Sequence, residues 1–286
     1  MTSIIRRCLL SLALMGFAAT ARADDPPVKF LTRDGVKLAY IEAGAGEPAI
    51  LLVHGMTGNH SGMMPLFEHV SKTHHVVAVD LRGHGQSDAP KSDYTDAMFG
   101  DDLMFICNQR GLKNPVGIGH SFGGSTLLHL AVNKPDFLGG LVLLDSGVRS
   151  AESKAAELKP VYDDPNPNAL REFLANRMYS PYDPPELREK NRTKQQPPSH
   201  VLEAMEKTVL AFNAADAAAQ VKLPALFILS SRPFTDPVTL GRLGPNWQVG
   251  QVVASGHSVQ LVVPEQTNAM VDRFLEIRTK LDRRGQ

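Results

Sequence analysis

The chain is poor in three features that would each point to a class of protein: cysteine, an excess of charge of one sign, and long apolar runs. Only two of its 286 residues are cysteines, and basic and acidic residues balance at 30 each. This balance gives no electrostatic reason to bind nucleic acid or an anionic surface. The apolar run from Cys8 to Ala19 is too short for a membrane span. We therefore expect a globular protein whose partner is small and neutral or apolar.

The run from Cys8 belongs to a stretch that we expect to be removed from the mature protein. Two arginines precede the run, and positions 21 and 23 carry the small residues that a signal peptidase recognises. We predict a signal peptide over residues 1–23, cleavage before Asp24, and export to the periplasm or the medium. Cleavage leaves Cys107 as the one cysteine of the mature chain, which excludes an intrachain disulfide.

From residue 49 onward, patterns typical of buried strands alternate with patterns typical of helices. A hairpin pattern around Asp34-Gly35 precedes them. A chain of this length can bury one large core, so we expect one domain with an insertion. The alternation predicts an α/β fold with a doubly wound, mostly parallel sheet. The predicted buried strands lie at residues 49–53, 75–80, 116–120, 140–146, 224–230 and 247–253.

Residues 147–220 interrupt this alternation. They contain eight prolines, short helical patterns at residues 169–179 and 201–212, and no plausible buried strand. We predict a helical lid over the strand ends; the alternative is a solvated elaboration with no part in substrate choice. The mature chain then divides into a first core part (24–146), the lid (147–220) and a second core part (221–286).

The stretch Gly119-His-Ser-Phe-Gly123 joins a buried strand pattern to a helical pattern. In a tight strand-to-helix turn, the central serine is held in a strained backbone conformation, and the flanking glycines remove side chains that would collide. The hydroxyl is then exposed beside the N–H groups of a helix N-terminus, which favour negative charge. Ser121 is therefore a candidate nucleophile, and the alternative is a serine that merely caps the helix.

Four motifs occur in an order that resembles the α/β-hydrolase superfamily over about residues 28–280. They look like that superfamily's oxyanion loop, the turn after its next strand, its nucleophile elbow and its histidine loop. The resemblance implies a serine esterase or lipase type of member with a helical lid, in which the backbone N–H groups of Met56 and Phe122 form the oxyanion hole. The motifs are His54-Gly55, Asp80-Leu-Arg-Gly-His-Gly-Gln-Ser87, Gly119-His-Ser-Phe-Gly123 and Gly256-His257.

Acyl transfer by a serine requires a base. Serine is a poor nucleophile at its own pKa, so an imidazole must take its proton during attack and return it to the leaving group. His257 is the candidate, because it stands between the last strand and the last helix. His54, His84 and His120 belong instead to turns that shape the backbone, and we expect the side chain of His120 to point away from the nucleophile.

The acid behind the histidine departs from the superfamily's usual pattern. Alignment of the strand at residues 225–230 places Pro233 where most relatives carry the acid, and proline cannot orient an imidazole. Two carboxylates remain in reach. Asp145 ends the preceding strand, where some relatives such as haloalkane dehalogenases carry their acid, and Asp236 lies three residues beyond the usual position. We favour Asp145 and keep Asp236 as the alternative; Asp145 could instead cap the first turn of the lid.

The sequence thus predicts an exported serine hydrolase that cleaves a small, mainly apolar ester, thioester or lactone. No cofactor and no metal ion are required. Epoxide and haloalkane hydrolysis use a carboxylate nucleophile, which Ser121 does not provide. Hydrolysis of a carbon–carbon bond on the same triad is the enzymatic alternative, and a catalytically silent ligand-binding member of the fold is the alternative from another class.

Overall fold

One eight-stranded sheet organises the part of the chain that the computed structural model describes, residues 26–166, 169–193 and 195–284. The predicted signal peptide, residues 1–23, lies outside the described residues. The strands are β1 (Lys29–Arg33), β2 (Val36–Ala43), β3 (Ile50–Val53), β4 (Val76–Val79), β5 (Val116–His120), β6 (Gly140–Leu144), β7 (Ala225–Leu229) and β8 (Trp247–Gln251).

Helices connect the strands and cover the sheet. A short 3-10 helix, His60–Met63, precedes the first of them. Within the described ranges, no helix has the length and apolar character needed to cross a membrane. The helices are α1 (Met64–Val70), α2 (Asp96–Arg110), α3 (Phe122–Asn133), α4 (Ala151–Tyr162), α5 (Ala169–Met178), α6 (Pro185–Thr193), α7 (Ser199–Ala211), α8 (Ala214–Gln220), α9 (Pro237–Leu240), α10 (Val259–Val262) and α11 (Pro264–Arg284).

The strand order is β1-β2-β4-β3-β5-β6-β7-β8. Strands β3 to β8 all run parallel to one another, whereas β1 and β2 pair antiparallel at one edge of the sheet. Asp34 and Gly35 join these two edge strands with φ angles of 50° and 79°, as a two-residue hairpin turn requires. The predicted mostly parallel sheet is therefore confirmed, and so is its edge hairpin.

Alternate residues of the central strands face opposite sides of the sheet, and helices cover both sides. Leu51 and Val53 pack in a cluster that includes side chains of α2, α3 and α8. Ile50 and Leu52 pack in a second cluster with α1 and α11. Burial on both faces explains why these strands are unbroken apolar runs in the sequence.

Five helices, α4 to α8, lie between β6 and β7 in the stretch predicted as a lid. Helix α4 packs against α5 and α7, and side chains of these three helices line a cavity at the strand ends. Helix α8 packs instead against α3, and its alanines Ala214, Ala217 and Ala218 are buried in the cluster shared with that helix. That this stretch takes part in the choice of substrate stays a prediction.

The turn between β5 and α3 requires glycine on both sides of Ser121. A Cβ on Gly119 would lie 2.5 Å from the carbonyl carbon of Gly123, and a Cβ on Gly123 would lie 2.4 Å from the carbonyl oxygen of His54. Ser121 itself has φ 51° and ψ −118°, a conformation that residues with a side chain rarely adopt. The packing of β3 and α3 around the turn thus holds the serine in a strained backbone.

We predict that Gly123→Ala destabilises the protein, whereas Gly100→Ala within α2 does not. The new methyl at position 123 would lie 2.5 Å from the carbonyl oxygen of Val53 in β3, and such overpacking costs about 1–3 kcal/mol or more. A Cβ at Gly100 meets Leu130 at an ordinary 3.5 Å, and alanine favours a helix over glycine by about 0.5–1 kcal/mol. Urea unfolding of both variants measures the difference. A Gly123→Ala variant as stable as the wild type would contradict this account of the turn.

Candidate active site

The predicted site residues follow the carboxyl ends of neighbouring parallel strands. Met56 lies in the loop after β3, Ser121 follows β5, Asp145 follows β6, and His257 lies in the loop after β8. Open parallel sheets carry their ligand and reaction sites at this edge. The fold therefore gathers these residues at the carboxyl ends of the strands, although they lie up to 201 positions apart in the chain, from position 56 to position 257.

Asp145 and His257 form a buried hydrogen-bonded pair. Nδ1 of His257 lies 2.8 Å from Oδ2 of Asp145, and the two residues are 6% and 1% exposed respectively. The other carboxylate oxygen, Oδ1, accepts a hydrogen bond of 2.9 Å from the N–H of Ser230. Because an ionised carboxylate only accepts hydrogen bonds, Nδ1 carries the proton, and Nε2 of a neutral imidazole is then free to accept one.

Asp236, the alternative acid, caps a helix instead. Its Oδ1 accepts a hydrogen bond of 2.8 Å from the N–H of Thr239, and its Oδ2 accepts one of 2.9 Å from the hydroxyl of the same residue. Asp236 is the N-cap of α9. Burial, the largest single cause, raises the pKa of this carboxyl, but hydrogen bonds from Thr239 and from the backbone of residues 236 and 238 together lower it. The structure brings Asp145 to His257, and the first lid helix, α4, is capped by Ser150 and not by Asp145.

Ser121 and His257 line the same cavity, which has a volume of about 350 Å³. Within the described residues, no hydrogen bond joins the Ser121 hydroxyl to the imidazole. In enzymes without substrate such bonds are often long and form only when substrate binds. The structure thus places the serine and the histidine in the lining of one cavity, with the acid hydrogen-bonded to the histidine.

The loop after β3 lies against the serine turn. A Cβ on Gly55 would lie 3.1 Å from Cβ of Ser121, and both Met56 and Phe122 line the cavity. Phe122 is the first residue of α3, and N–H groups of a first helical turn have no acceptor within the helix. The helix macrodipole adds partial positive charge at the same place. The two residues predicted to donate in an oxyanion hole therefore line the same cavity as Ser121.

The histidines of the turns hold the backbone around this site. Nδ1 of His54 donates to the carbonyl of Gly55 at 2.8 Å, and its Nε2 accepts from the N–H of Leu81 at 3.0 Å. Burial, the largest cause, lowers the pKa of His54 to about 3, so this imidazole is neutral. Nε2 of His120 lies 3.0 Å from the carbonyl oxygen of His257, and the two rings pack with centroids 4.6 Å apart. His120 thus supports the histidine loop.

The walls of the cavity are mainly apolar and come from both the core and the inserted helices. Loops at the strand ends and the start of α3 contribute most of the lining residues, and α4, α5 and α7 contribute the others. Such a lining suits a substrate with apolar parts. The apolar lining residues are Met56, Phe122, Phe234 and Leu261 from the core, and Leu158, Phe173, Met178 and Val209 from the inserted helices.

Three charged residues also line the cavity and were not predicted from the sequence: Arg149, Lys154 and Glu157. Arg149 pairs with Glu157, and the Lys154 ammonium donates to the carbonyls of Val209 and Phe212 at the end of α7. Burial, followed by the nearby Arg149, lowers the pKa of Lys154 to about 8. No sequence signal marks these residues, because their burial depends on contacts between separate helices. Among the residues that the structure describes, no group of three His, Cys, Asp or Glu side chains could hold a metal ion.

Known proteins similar to this chain include hydrolases. A 2-(acetamidomethylene)succinate hydrolase of Mesorhizobium japonicum is 26% identical over 265 residues, which cover 84% of this chain and 92% of that protein. The first curated relatives that the chain matches, uncharacterized proteins of Mycobacterium bovis and Mycobacterium tuberculosis, are 33% identical over 122 residues, 43% of this chain. The match spans only 36% of the length of those relatives.

Solved structures resemble the whole fold. An N-acyl homoserine lactone degrading enzyme superposes with a TM-score of 0.76 at 23% identity, over 86% of this chain and 100% of that one. An esterase from Thermogutta terrifontis superposes with a TM-score of 0.71 at 23% identity, over 88% and 97% of the two chains. At this identity the likeness shows the fold alone. A family model described as the alpha/beta hydrolase fold matches residues 48–230, and the chain therefore belongs to the α/β-hydrolase family.

Proposed function

We propose that the protein is a serine hydrolase that cleaves a carboxylic ester, thioester or lactone through an acyl-enzyme on Ser121. The observation that carries this proposal is the buried hydrogen bond of 2.8 Å between Asp145 and His257, at the wall of the cavity that Ser121 also lines. The pair supplies an oriented general base, and the strained turn supplies an exposed hydroxyl. These are the groups that acyl transfer to a serine requires.

In the first half of the reaction, the Ser121 hydroxyl attacks the acyl carbon while Nε2 of His257 takes its proton. Asp145 stabilises the imidazolium that forms and holds the ring in the required tautomer. His257 then gives the proton to the departing alcohol, thiol or lactone oxygen, and the acyl group remains on Ser121. In the second half, water attacks the acyl carbon, His257 takes the proton of the water, and Ser121 leaves with that proton.

The tetrahedral intermediate of each half carries a negative oxygen. The backbone N–H groups of Met56 and Phe122 receive this oxygen, and loss of one such donor typically costs about 3 kcal/mol of transition-state stabilisation. The partial positive charge at the start of α3 acts in the same direction. Nucleophile, base and hydrogen-bond donors are thus all groups of the protein, and no step needs a metal ion or a cofactor.

The substrate proposed for this site is small and mainly apolar. Apolar side chains of the core and of α4, α5 and α7 line the cavity that Ser121 also lines, so an acyl or alcohol group without charge is readily accommodated. The M. japonicum relative is named as a hydrolase, which agrees with a hydrolytic reaction. The ester class itself rests on the serine and histidine of this chain.

We predict that the wild-type protein hydrolyses p-nitrophenyl esters and that Ser121→Ala abolishes the reaction. Loss of the nucleophile or of its base costs about 10⁶-fold in turnover in serine hydrolases, so His257→Ala should be equally inactive. Ser61→Ala removes an exposed hydroxyl outside the site and serves as the control with native turnover. Release of p-nitrophenol from a series of acyl lengths measures the rates. Near-native hydrolysis by Ser121→Ala would exclude the mechanism, and a wild type that binds these esters without cleaving any would indicate a silent member of the fold.

We predict that Asp145→Asn lowers turnover on one such ester about 10⁴-fold, because an amide cannot hold the imidazole in the required tautomer. Asp236→Asn is the matched control. Asparagine caps a helix about as well as aspartate, so α9 should remain capped and turnover should stay near native. Thermal unfolding of both variants shows whether each is folded. A folded Asp145→Asn variant with native turnover, beside an inactive Asp236→Asn variant, would transfer the role of the acid to Asp236.

A further inference from the structure

The loop that carries His257 is held by the inserted helical stretch as well as by the core. The N–H of His257 donates to the carbonyl of Met178 at 2.8 Å, and the N–H of Gly256 donates to Oδ1 of Asp183 at 2.7 Å. Met178 is the last residue of α5, and Asp183 lies between α5 and α6. We call residues 177–183 the clamp segment, because consecutive N–H groups of the histidine loop have their acceptors there.

Asp183 is built into this contact. It is 6% exposed, its Oδ1 also accepts from the hydroxyl of Ser180 at 2.6 Å, and its Oδ2 accepts from the N–H of Ser180 at 3.2 Å. A Cβ on Gly256 would lie 2.4 Å from Oδ2 of Asp183 and 2.5 Å from the carbonyl oxygen of Met178. A carboxylate that is fixed by several donors is a strong acceptor of well-defined position. The histidine loop therefore packs directly against Asp183 and Met178.

The clamp segment also reaches the loop that follows β7. Arg177 donates to the carbonyls of Arg232 and Pro233 at 2.8 and 2.7 Å. Its guanidinium lies over the ring of Phe234, 4.7 Å from the centroid. The Phe234 ring in turn packs edge-on against the imidazole of His257, with centroids 4.8 Å apart. The clamp segment thus contacts the histidine loop itself and also the Phe234 ring that packs against the imidazole.

We propose that Asp183 is a positioning residue for the reaction: through the N–H of Gly256 it fixes the histidine loop so that Nε2 of His257 faces Ser121 while Nδ1 faces Asp145. This inference rests on the proposed function. Asp183 is not among the residues that line the cavity, so it acts through the loop and not through contact with substrate. The inserted stretch then takes part in catalysis in addition to the role in substrate choice predicted from the sequence.

The test compares kcat and KM of the wild type, Asp183→Ala and Asp183→Asn on the p-nitrophenyl ester that the wild type cleaves fastest. In Asp183→Ala the N–H of Gly256 loses its acceptor, and a displacement of the histidine of about 1 Å lowers kcat about 100-fold. KM stays within about twofold, because uniform binding of substrate is unchanged. Asp183→Asn keeps an oxygen that accepts from Gly256, so kcat stays within about fivefold of the wild type.

Asp163→Ala is the matched control from the same stretch. Asp163 lies at the exposed end of α4, where it pairs with Lys159, and its loss leaves kcat and KM unchanged. Thermal unfolding shows which variants are folded at the assay temperature. If Asp183→Ala does not fold, Ser180→Ala takes its place, because it removes one hydrogen bond that fixes the carboxylate and lowers kcat about tenfold at unchanged KM.

Proton NMR adds a measurement that does not need turnover. The Nδ1 proton of His257, shared with Asp145, gives a low-field signal whose exchange with water reports the order of the histidine loop. Asp183→Ala broadens or loses this signal, whereas Asp183→Asn and Asp163→Ala keep it. If the wild type cleaves no ester, the proposed function fails and the NMR signal still tests the clamp segment. A folded Asp183→Ala variant with native kcat and a native signal overturns the inference, and so does a loss confined to KM or to thermal stability.

Discussion

The backbone conformation of Ser121 is the constraint on which the site depends. With φ 51° and ψ −118°, this residue leaves β5 at the start of α3 and lines the cavity there. Such a conformation costs about 1–3 kcal/mol and persists only where the surrounding structure enforces it. Here the enforcement comes from the approach of β3 and α3 to Gly119 and Gly123. The two buried faces of the sheet fix these elements and thereby fix the serine.

The register of the parallel strands explains why Asp145 is the carboxylate behind His257. His120 pairs with Leu144 across β5 and β6, so Ser121 and Asp145 leave the sheet side by side. Across β6 and β7 Leu144 pairs with Ile228, which brings the N–H of Ser230 to Oδ1 of Asp145. The carboxylate is therefore oriented by the next strand and presents its other oxygen to the histidine loop. No loop rearrangement is needed for this geometry.

Much of the sheet could be predicted from the sequence, because each central strand is an apolar run buried on both faces and the turns between strands and helices carry glycine. The sequence favoured Asp145 over Asp236 but left both in reach, since the choice depends on how the loop after β7 turns; in the structure Asp236 is engaged as the cap of α9. The position of Asp183 beside the histidine loop could not be predicted from the sequence either. Before Pro184 an aspartate is typical of a turn or a helix start, and its contact with Gly256 joins segments 73 residues apart.

The most direct test of the account is to trap the acyl group on Ser121. The wild-type protein is mixed with excess p-nitrophenyl acetate, quenched in acid during the first turnovers, and analysed by intact-protein mass spectrometry followed by peptide mapping. The account predicts a single acetyl group per chain, on the peptide that contains Ser121, which disappears once the ester is consumed. Continued turnover with no acetylated protein, or with the acetyl group on another residue, would contradict it.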